Sequence, residues 1–529
     1  MKADGSDDNT PEPPPVRGSS VGVGIGKTNT ARKELVAPLT AGGLPVVVAV
    51  PRHKLGDEFV RDLVQDGGTG RVYRGRTADD PDAPGEKMCR EHERTTAIFN
   101  ALGDIERNAC GSRDGAHRCE FFDVCGYRRQ MQAAPQTWVV PHQLLFHPRP
   151  KFIPAPAALV IDESFYGASL HGTDRPIWVD LAVLLGDRTV PKQKNAYSLY
   201  ATVDLRAVSR RVYDAITAYE DGWVPLEALI AAGLTADDLR NAQKLEWRRK
   251  LDIAEVRPGM PQHEALAACK RIASHNQTVT RLARLWLLLA LQMEAGHERS
   301  PWLHFQYEAP LRDDDVGPGV RMTWRSDIHP GWCAPTLLLD ATQQPDIDRV
   351  FFPLMGQPTR IDAPMSSHVH VRQITDRAMS NAMLVESEAA DEKHNKARRN
   401  NIERLRWLIE VRAADVALKR GVVICQQNVE RALKDGSLPE NIEVTHFNSI
   451  RGLNAWSEVA LLIVVGRTEP SPRTVELIAR ALFGVDVEEI PADADGNVRY
   501  HRVVRGIRMR DGTGRRVEAA NIPTRGSRR

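Results

Sequence analysis

The sequence of 529 residues has no long hydrophobic run, almost no net charge and only seven cysteines. Its longest apolar run, Leu285–Leu291, is far shorter than the roughly 20 residues that span a bilayer. The N-terminal stretch MKADGSDDNTPEPPP is acidic and proline-rich, which is not the pattern of a signal peptide. We therefore expect a cytoplasmic protein without a membrane partner.

The near-neutral charge hides an uneven distribution. The 71 basic and 69 acidic residues sum to +2. From residue 499 onwards, ten arginines face only Asp511 and Glu518, a local balance of 10 − 2 = +8, so the remainder sums to 2 − 8 = −6. This arginine-rich end indicates an anionic partner. A solvated tail is the alternative interpretation.

Short apolar segments alternate with amphipathic ones, a pattern typical of parallel α/β sheets. Hydrophobic residues make up 42% of the chain, enough for several buried cores. Predicted strands are Leu44–Val50, Ala157–Asp162, Pro335–Asp340, His368–Gln373, Gly421–Cys425, Ile442–His446 and Ala460–Val465. Predicted helices are Lys54–Val64, Asp204–Tyr219, Pro225–Ala232, Ala236–Leu251, His263–Gln292, about Glu386–Arg420, Asn428–Lys434 and Arg473–Leu482.

A glycine-rich loop, VGVGIGKT at 21–28, matches the end of a G-x-x-x-x-G-K-[ST] phosphate-binding loop. Its motif residues are Gly24, Gly26, Lys27 and Thr28, and Val21 replaces the first glycine. In such loops the backbone amides surround phosphates, the lysine reaches the β/γ oxygens and the hydroxyl ligates Mg²⁺. The preceding segment, VRGSSVGV, is a poor strand. A chance match within a glycine-rich loop is the alternative.

A second motif complements the first. The segment AALVIDESF at 157–165 is an apolar strand that ends in Asp162 and Glu163. In an ATPase, the aspartate would hold Mg²⁺ and the glutamate would orient or deprotonate the attacking water. An ATPase is therefore the leading interpretation of the two motifs together.

Four cysteines cluster between the two motifs, with the spacing C-x20-C-x8-C-x5-C. They are Cys89, Cys110, Cys119 and Cys125. Clustered thiols in a cytosolic protein favour metal ligation over disulfides. Four thiolates suit tetrahedral zinc or a [4Fe–4S] cluster, and the spacing does not decide between them.

In this order the motifs resemble the superfamily 2 helicases, specifically the DinG/XPD-like iron–sulfur branch. The resemblance covers about residues 20–485. It is carried by 21–28 (motif I), 46–63 (Ia), 140–146 (VPHQLLF, with Pro141 for Asn), 162–165 (DESF for DEAH), 337–342 (LLLDAT, III), 421–428 (IV) and 446–467 (V).

The resemblance implies an α/β fold of two RecA-like P-loop lobes, with two insertions in the first lobe. We expect a disordered leader (1–19), the first lobe (20–88, 131–169 and 331–365), a four-cysteine insertion (89–130), a helical arch-like insertion (170–330) and a second lobe (366–529). The segment RCEFFDVCGYRRQ at 118–130 resembles the end of the family's metal domain, which favours [4Fe–4S] over Zn²⁺.

The resemblance also implies the site residues and partners. Lys27 and Glu163 would be catalytic, and Thr28 and Asp162 would bind Mg²⁺ beside ATP. Single-stranded or forked DNA would be the partner, with 5′→3′ movement. DNA-binding or coupling roles fall on His142, Asp340, Thr342, Arg451 and Asn454.

One expected motif is missing from the sequence. The family's motif VI, Q-x-x-G-R-x-x-R, is not found, so the arginine finger is unknown and the second lobe would be incomplete. The runner-up hypothesis is therefore a helicase-like nucleic-acid-binding protein of a phage or mobile element, with a defective or truncated ATPase. A P-loop kinase or transporter ATPase is a third and weaker hypothesis, because neither needs the cysteine insertion.

Overall fold

The chain is described by a computed structural model that covers most of the sequence. The described residues are 13–22, 24–112, 115–191, 200–311, 315–362, 368–374, 379–417, 419–450, 456, 458–468, 470–487, 489–490, 498, 500–508 and 512–521. They form two compact units. The first comprises Met1–Ile361 with Pro472–Arg529, and the second is Asp362–Ser471.

A seven-stranded, fully parallel sheet forms the centre of the first unit. Its strand order is β13-β1-β12-β5-β2-β4-β3. The strands are β1 (Val16–Val21), β2 (Val46–Val50), β3 (Gly70–Val72), β4 (Thr137–Pro141), β5 (Ala158–Asp162), β12 (Thr336–Asp340) and β13 (Thr359–Ile361). This mixed α/β architecture with a large parallel sheet agrees with the sequence-based fold class at that level.

Both faces of this sheet are buried, which explains why its central strands are apolar throughout. In β2, Val47 and Ala49 enter one core, whereas Val46 and Val48 enter the other, as the two-residue period of a strand requires. The helices around this sheet are α1 (Lys27–Ala31), α2 (Ala37–Ala41), α3 (His53–Gln65) and α10 (Pro345–Phe351). A π-helical turn, Arg32–Val36, joins α1 to α2.

Strand β1 corrects one sequence-based expectation. It begins at Val16, inside the segment 1–19 that was expected to be a disordered leader, so that boundary is wrong for its last residues. Residues 1–12 lie outside the described part. The polar strand is stable because it pairs with β12 on one side and β13 on the other.

The cysteine-bearing insertion contains two helices, α4 (His92–Asn100) and α5 (Gly126–Gln132). The larger insertion, between β5 and β12, contains α6 (Ala201–Thr217), α7 (Leu226–Ala231), α8 (Ala236–Arg248) and α9 (Gln262–Glu294). All four predicted helices of this insertion are therefore confirmed within a few residues.

The expectation that the larger insertion is mainly helical is incomplete. It also holds an antiparallel sheet in the order β7-β10-β9-β8 and a small β6–β11 pair. These strands are β6 (Leu170–His171), β7 (Ile177–Asp180), β8 (Gly222–Pro225), β9 (Arg299–Pro310), β10 (Val316–Met322) and β11 (Trp324–Arg325). Leu303 and Phe305 of β9 bury their side chains in the same core as Trp286 of α9.

The second unit is a smaller α/β body with a parallel sheet in the order β15-β14-β16. Its elements are α11 (Asn381–Leu384), α12 (Glu392–Asp415), β14 (Gly421–Cys425), α13 (Gln427–Lys434), β15 (Ile442–His446), α14 (Phe447–Ile450) and β16 (Leu461–Val464). The strand predicted at His368–Gln373 is wrong, because these residues are described without strand structure and are exposed.

The C-terminal segment belongs with the first unit and not with the second lobe to which the sequence assigned it. It contains α15 (Pro472–Phe483) and a hairpin of β17 (His501–Arg508) and β18 (Gly514–Asn521). The Arg480 guanidinium lies 4.3 Å from the centre of the Trp223 ring, and the Trp223 indole donates to Glu489 at 2.5 Å. These contacts attach the segment to the antiparallel sheet of the insertion.

No helix in the described part of the chain combines the length and the apolar character that crossing a membrane requires.

Candidate nucleotide-binding site

The carboxyl ends of β1, β12 and β5 meet at one edge of the parallel sheet. The chain leaves β1 to form β2 on one side of it and later returns to form β13 on the other. Ligands of open α/β sheets bind at this edge, where the direction of strand addition reverses. The glycine-rich loop follows β1, and the acidic pair lies at the end of β5.

The glycine-rich loop requires glycine for its backbone conformation. Gly24 has φ 82° and Gly26 has φ 84°, both in the left-handed region. A Cβ at either position would meet no atom within 4 Å, so the dihedral angle and not crowding disfavours other residues. Gly26 caps α1, and its carbonyl accepts the first helical hydrogen bond from Thr30 at 2.8 Å. Lys27 and Thr28 therefore occupy the first turn of the helix. Val23 lies outside the described residues.

The two sequence motifs come into direct contact although they are more than 130 residues apart. The Lys27 ammonium lies 2.8 Å from Glu163 Oε1 and 3.7 Å from Asp162 Oδ1. The Thr28 hydroxyl donates to Asp162 Oδ2 at 2.9 Å. This places one cation, one hydroxyl and two carboxylates within a single small site.

This donor set suits a magnesium–nucleotide complex. Asp162 Oδ1 is buried and accepts no hydrogen bond from the described residues. A hydroxyl and a carboxylate side by side are hard oxygen ligands of the kind that Mg²⁺ prefers. Thr28 and Asp162 would hold the ion, which would neutralise phosphate charge, while Lys27 and the loop amides would bind the phosphates.

Burial changes the acid–base behaviour of Asp162. Its side chain is 3% exposed, and desolvation raises its pKa from 3.8 to about 6, against the lowering effects of Lys27 and of the Thr28 hydrogen bond. The neighbouring carboxylates of Glu163 and Asp340 raise the pKa further. Burial thus disfavours the ionised form of Asp162, which is the form that a metal ion would require.

We expect Asp162→Asn to stabilise the nucleotide-free protein, and more so at neutral than at acidic pH. Because the folded pKa is raised, the stability gained by protonation is complete below about pH 4 and is lost as the pH rises through 6. The difference of about two pKa units corresponds to about 3 kcal/mol at pH 7. Unfolding midpoints of both proteins at pH 4.5 and pH 7.5 measure it. An equal effect at both pH values would contradict the raised pKa.

Glu163 has a strained backbone that directs its side chain into the site. Its φ of 69° is rare for a non-glycine residue, and such strain concentrates at functional sites. The backbone is held in place because the Glu163 amide donates to the Leu339 carbonyl at 2.7 Å. The side chain is 32% exposed, so it reaches solvent where that of Asp162 does not.

Of the five residues predicted to bind DNA or to couple it to the ATPase, the structure describes His142, Asp340 and Thr342. His142 is buried, and its Nε2 lies 2.9 Å from the carbonyl oxygen of Asp162, so it touches the backbone of the acidic pair. Asp340 Oδ1 accepts hydrogen bonds from the Thr342 amide at 2.8 Å and hydroxyl at 3.1 Å, which fixes the turn after β12. Arg451 and Asn454 lie outside the described residues.

Sequence reasoning missed Gln343, the residue after Thr342. A Cβ at Gly18 of β1 would lie 2.5 Å from the Gln343 side-chain amide, so Gly18 leaves room for that amide beside the phosphate-loop strand. Burial also raises the pKa of Asp348, which lies near Gln343, to about 6. A glycine inside a strand marks such a close approach, and this signal was available in VRGSSV.

The four clustered cysteines lie close together as two pairs. The Cys125 thiol donates to the Met88 carbonyl at 3.5 Å. The nearby Cys89 thiol lowers the pKa of Cys125 to about 6, and the pKa of Cys89 is raised in turn. The Cys119 amide donates to the Cys110 carbonyl at 3.0 Å. Among the described residues, no three metal-ligating side chains are grouped closely enough to hold an ion. The thiol chemistry suits a metal, whereas a complete ligand set is not assembled.

Aromatic and basic side chains surround these cysteines. Arg76 lies 3.6 Å from Cys110 Sγ and 4.0 Å from the centre of the Tyr127 ring. Arg118 and Arg128 both stack on Phe122, at 4.1 and 3.6 Å from its centre. Arg128 is therefore engaged within the insertion, whereas Tyr127 contacts Arg76 of the segment that precedes it.

Comparisons with known proteins give structural likenesses but no family. No family model matches the sequence, and no curated protein matches it. The chain is similar to an XPD helicase (12% identity, covering 88% of this chain and 84% of that chain, TM-score 0.38). It is also similar to a truncated XPD (12%, 66% and 95%, TM-score 0.32) and to the Xpd4 of S. tokodaii (10%, 89% and 84%, TM-score 0.30). At these identities and TM-scores the likeness carries no further conclusion.

Proposed function

We propose that the protein hydrolyses ATP to move along single-stranded or forked DNA, as a helicase or translocase of the DinG/XPD type. The observation that carries this proposal is the contact of Lys27 and Thr28 with Glu163 and Asp162. These four side chains have the chemistry of a nucleotide hydrolase, and the strand order brings them together. The DNA substrate and the 5′→3′ direction come from the resemblance of the motifs.

The side chains suggest how hydrolysis would begin. Lys27 neutralises Glu163 at 2.8 Å. A bound γ-phosphate would compete for the Lys27 ammonium, and Glu163 would then be free to accept a hydrogen bond from a water molecule. Bound Mg²⁺ supplies charge neutralisation. Asp162 must be deprotonated for this state, so we expect nucleotide binding to weaken below about pH 6.

A second candidate function keeps nucleic-acid binding but not turnover. It rests on the missing motif VI, since loss of such an arginine costs about 10³-fold or more in turnover. The protein would then be a helicase-like binding factor of a phage or mobile element. The two candidate functions differ only in whether the protein hydrolyses ATP.

The deciding experiment is ATP turnover by the purified chain with and without single-stranded DNA. A motor should hydrolyse ATP faster when DNA is present. DNA binding without turnover would favour the second candidate. Turnover that is indifferent to DNA would contradict the motor and favour another kind of P-loop ATPase.

We further propose that Cys89, Cys110, Cys119 and Cys125 hold a [4Fe–4S] cluster. All four thiols lie within one insertion, and Cys89 and Cys125 are near enough to shift each other's pKa. Anaerobically purified protein should be brown, absorb near 400 nm and contain iron, and Cys125→Ser should lose both colour and iron. Cys333→Ser, which changes an exposed cysteine elsewhere, is the control and should keep them. Colourless protein that contains zinc would show that these cysteines bind Zn²⁺ and not an iron–sulfur cluster.

A further inference from the structure

One face of α12 in the second unit carries basic residues and a tryptophan that none of the motifs includes. Four residues, Ile402, Leu405, Ile409 and Ala413, bury the opposite face. The exposed face repeats at intervals of three or four residues, which places its members along one line of the helix. This line, here called the α12 stripe, consists of Lys393, Lys396, Asn400, Arg404, Trp407 and Val411, all exposed.

Trp407 is 64% exposed, which is unusual in this chain. The large tryptophans Trp138, Trp286 and Trp332 are at most 1% exposed. Leaving an indole ring in water forfeits one of the largest gains that burial offers, so an exposed tryptophan indicates a binding surface. Within the described part of the chain, Trp247 is the other exposed tryptophan, at 41%.

The cations of the α12 stripe differ from three arginines elsewhere on the same helix, each of which forms an ion pair. Arg399 pairs with Glu386 and Glu392, Arg406 with Glu403, and Arg412 with Asp415. Lys393, Lys396 and Arg404 form no ion pair with any residue that the structure describes. The only acid of α12 near the stripe without a partner in that same part of the chain is Glu410, on its flank. The stripe therefore has a net positive charge.

We infer that the α12 stripe binds single-stranded nucleic acid. Lys393, Lys396 and Arg404 would neutralise phosphates, and an unpaired base would stack on Trp407, the combination that single-strand-binding surfaces use. The fourteen residue-to-residue steps from Lys393 to Trp407 span about 21 Å at 1.5 Å per step. A strand with the phosphate spacing of B-DNA, ~3.4 Å, would place about six phosphates along that length, and a more extended single strand would place fewer. A duplex fits less well, because its bases already stack on each other.

This inference rests on the proposed function in one respect, namely that the partner is a nucleic acid. The nucleotide site lies in the first unit, whereas α12 lies in the second. An experiment can therefore refute nucleic-acid binding at the α12 stripe without refuting ATP hydrolysis at Lys27, and the reverse is also true. Both are measurable on the full chain.

Trp407→Ala tests the stacking part of the inference. We expect it to weaken binding of a fluorescent dT20 strand by about 5- to 100-fold, the effect of losing one stacked base. Trp407→Phe should restore most of the affinity. The same Trp407→Ala change should leave the affinity for an abasic strand of equal length unchanged, since that strand has phosphates but no bases. Trp247→Ala, on the other exposed tryptophan, is the matched control and should bind as wild type.

Lys396→Gln/Arg404→Gln tests the electrostatic part. Removing two phosphate contacts should lower the slope of log K against log salt by about 1.4, from ~0.7 per contact on a single strand. The control, Arg399→Gln/Arg412→Gln, removes the same charge from paired arginines of α12 and should change the slope far less. The inference is overturned if Trp407→Ala binds dT20 with wild-type affinity. It is also overturned if the two double variants lower the slope of log K against log salt by the same amount. Turnover that stays DNA-stimulated in those variants would leave the proposed motor intact.

Discussion

Lys27→Ala should abolish DNA-stimulated ATP hydrolysis, with turnover falling by about 10²–10³-fold or more, as expected when a preorganised donor to the reacting phosphate is lost. The Lys27 ammonium is the one cation in contact with both Asp162 and Glu163 within the described structure. Without it, two carboxylates would face the incoming phosphates uncompensated. ATP binding should therefore weaken as well as turnover. Steady-state hydrolysis and equilibrium binding of a fluorescent ATP analogue measure the two effects.

Lys33→Ala provides the control for this change. Lys33 lies one and a half turns further along the same helical segment and is exposed. It contributes the same charge to the first unit but lies away from the acidic pair, so the variant should hydrolyse ATP normally. Equal losses in both variants would indicate a general effect of charge or of helix stability. Unchanged turnover in Lys27→Ala would refute the nucleotide site.

The elements that could be predicted from the sequence are those whose own residues form a recognisable pattern, such as an apolar run or a motif. Strands β2, β5 and β12 are continuous apolar runs because both sheet faces are buried, and their positions are confirmed within two residues. Asp162 and Glu163 lie at a carboxyl end, as the motif predicted. The contact of Lys27 with Glu163 follows from these placements, although the strand order that creates it is a property of long-range pairing.

The missed elements are those whose stability comes from distant partners. Strand β1 is polar and glycine-containing, and it forms because β12 and β13 flank it. Strand β9 directly follows the long apolar helix α9, and its burial alternates only in its central part, so its sequence pattern is weaker than that of the helix. Helix α15 was predicted correctly but assigned to the wrong unit, since its contact with Trp223 depends on residues some 250 positions earlier.

Glu163→Gln should separate ATP binding from hydrolysis. The amide keeps the shape of the side chain and an oxygen acceptor for Lys27, so nucleotide affinity should change by only a few-fold. It cannot accept a proton from water, and losing a general base costs typically about 10²–10⁴-fold in turnover. The backbone strain at φ 69° is the same for both residues, so a difference in rate reports the side chain and not the fold. Single-turnover hydrolysis and equilibrium ATP binding give the two quantities.

Two further variants determine what the Lys27–Glu163 ion pair does. Glu34→Gln removes an exposed acid of the same unit and should leave both quantities unchanged. If Glu163→Gln hydrolyses ATP at the wild-type rate, then the ion pair serves only to neutralise Lys27, and another group must orient the water. If Asp162→Asn instead loses binding while Glu163→Gln loses only turnover, the two adjacent carboxylates have separate roles. Their different burial, 3% against 32% of the side chain, predicts this division: the enclosed acid holds the ion and the exposed one reaches the water.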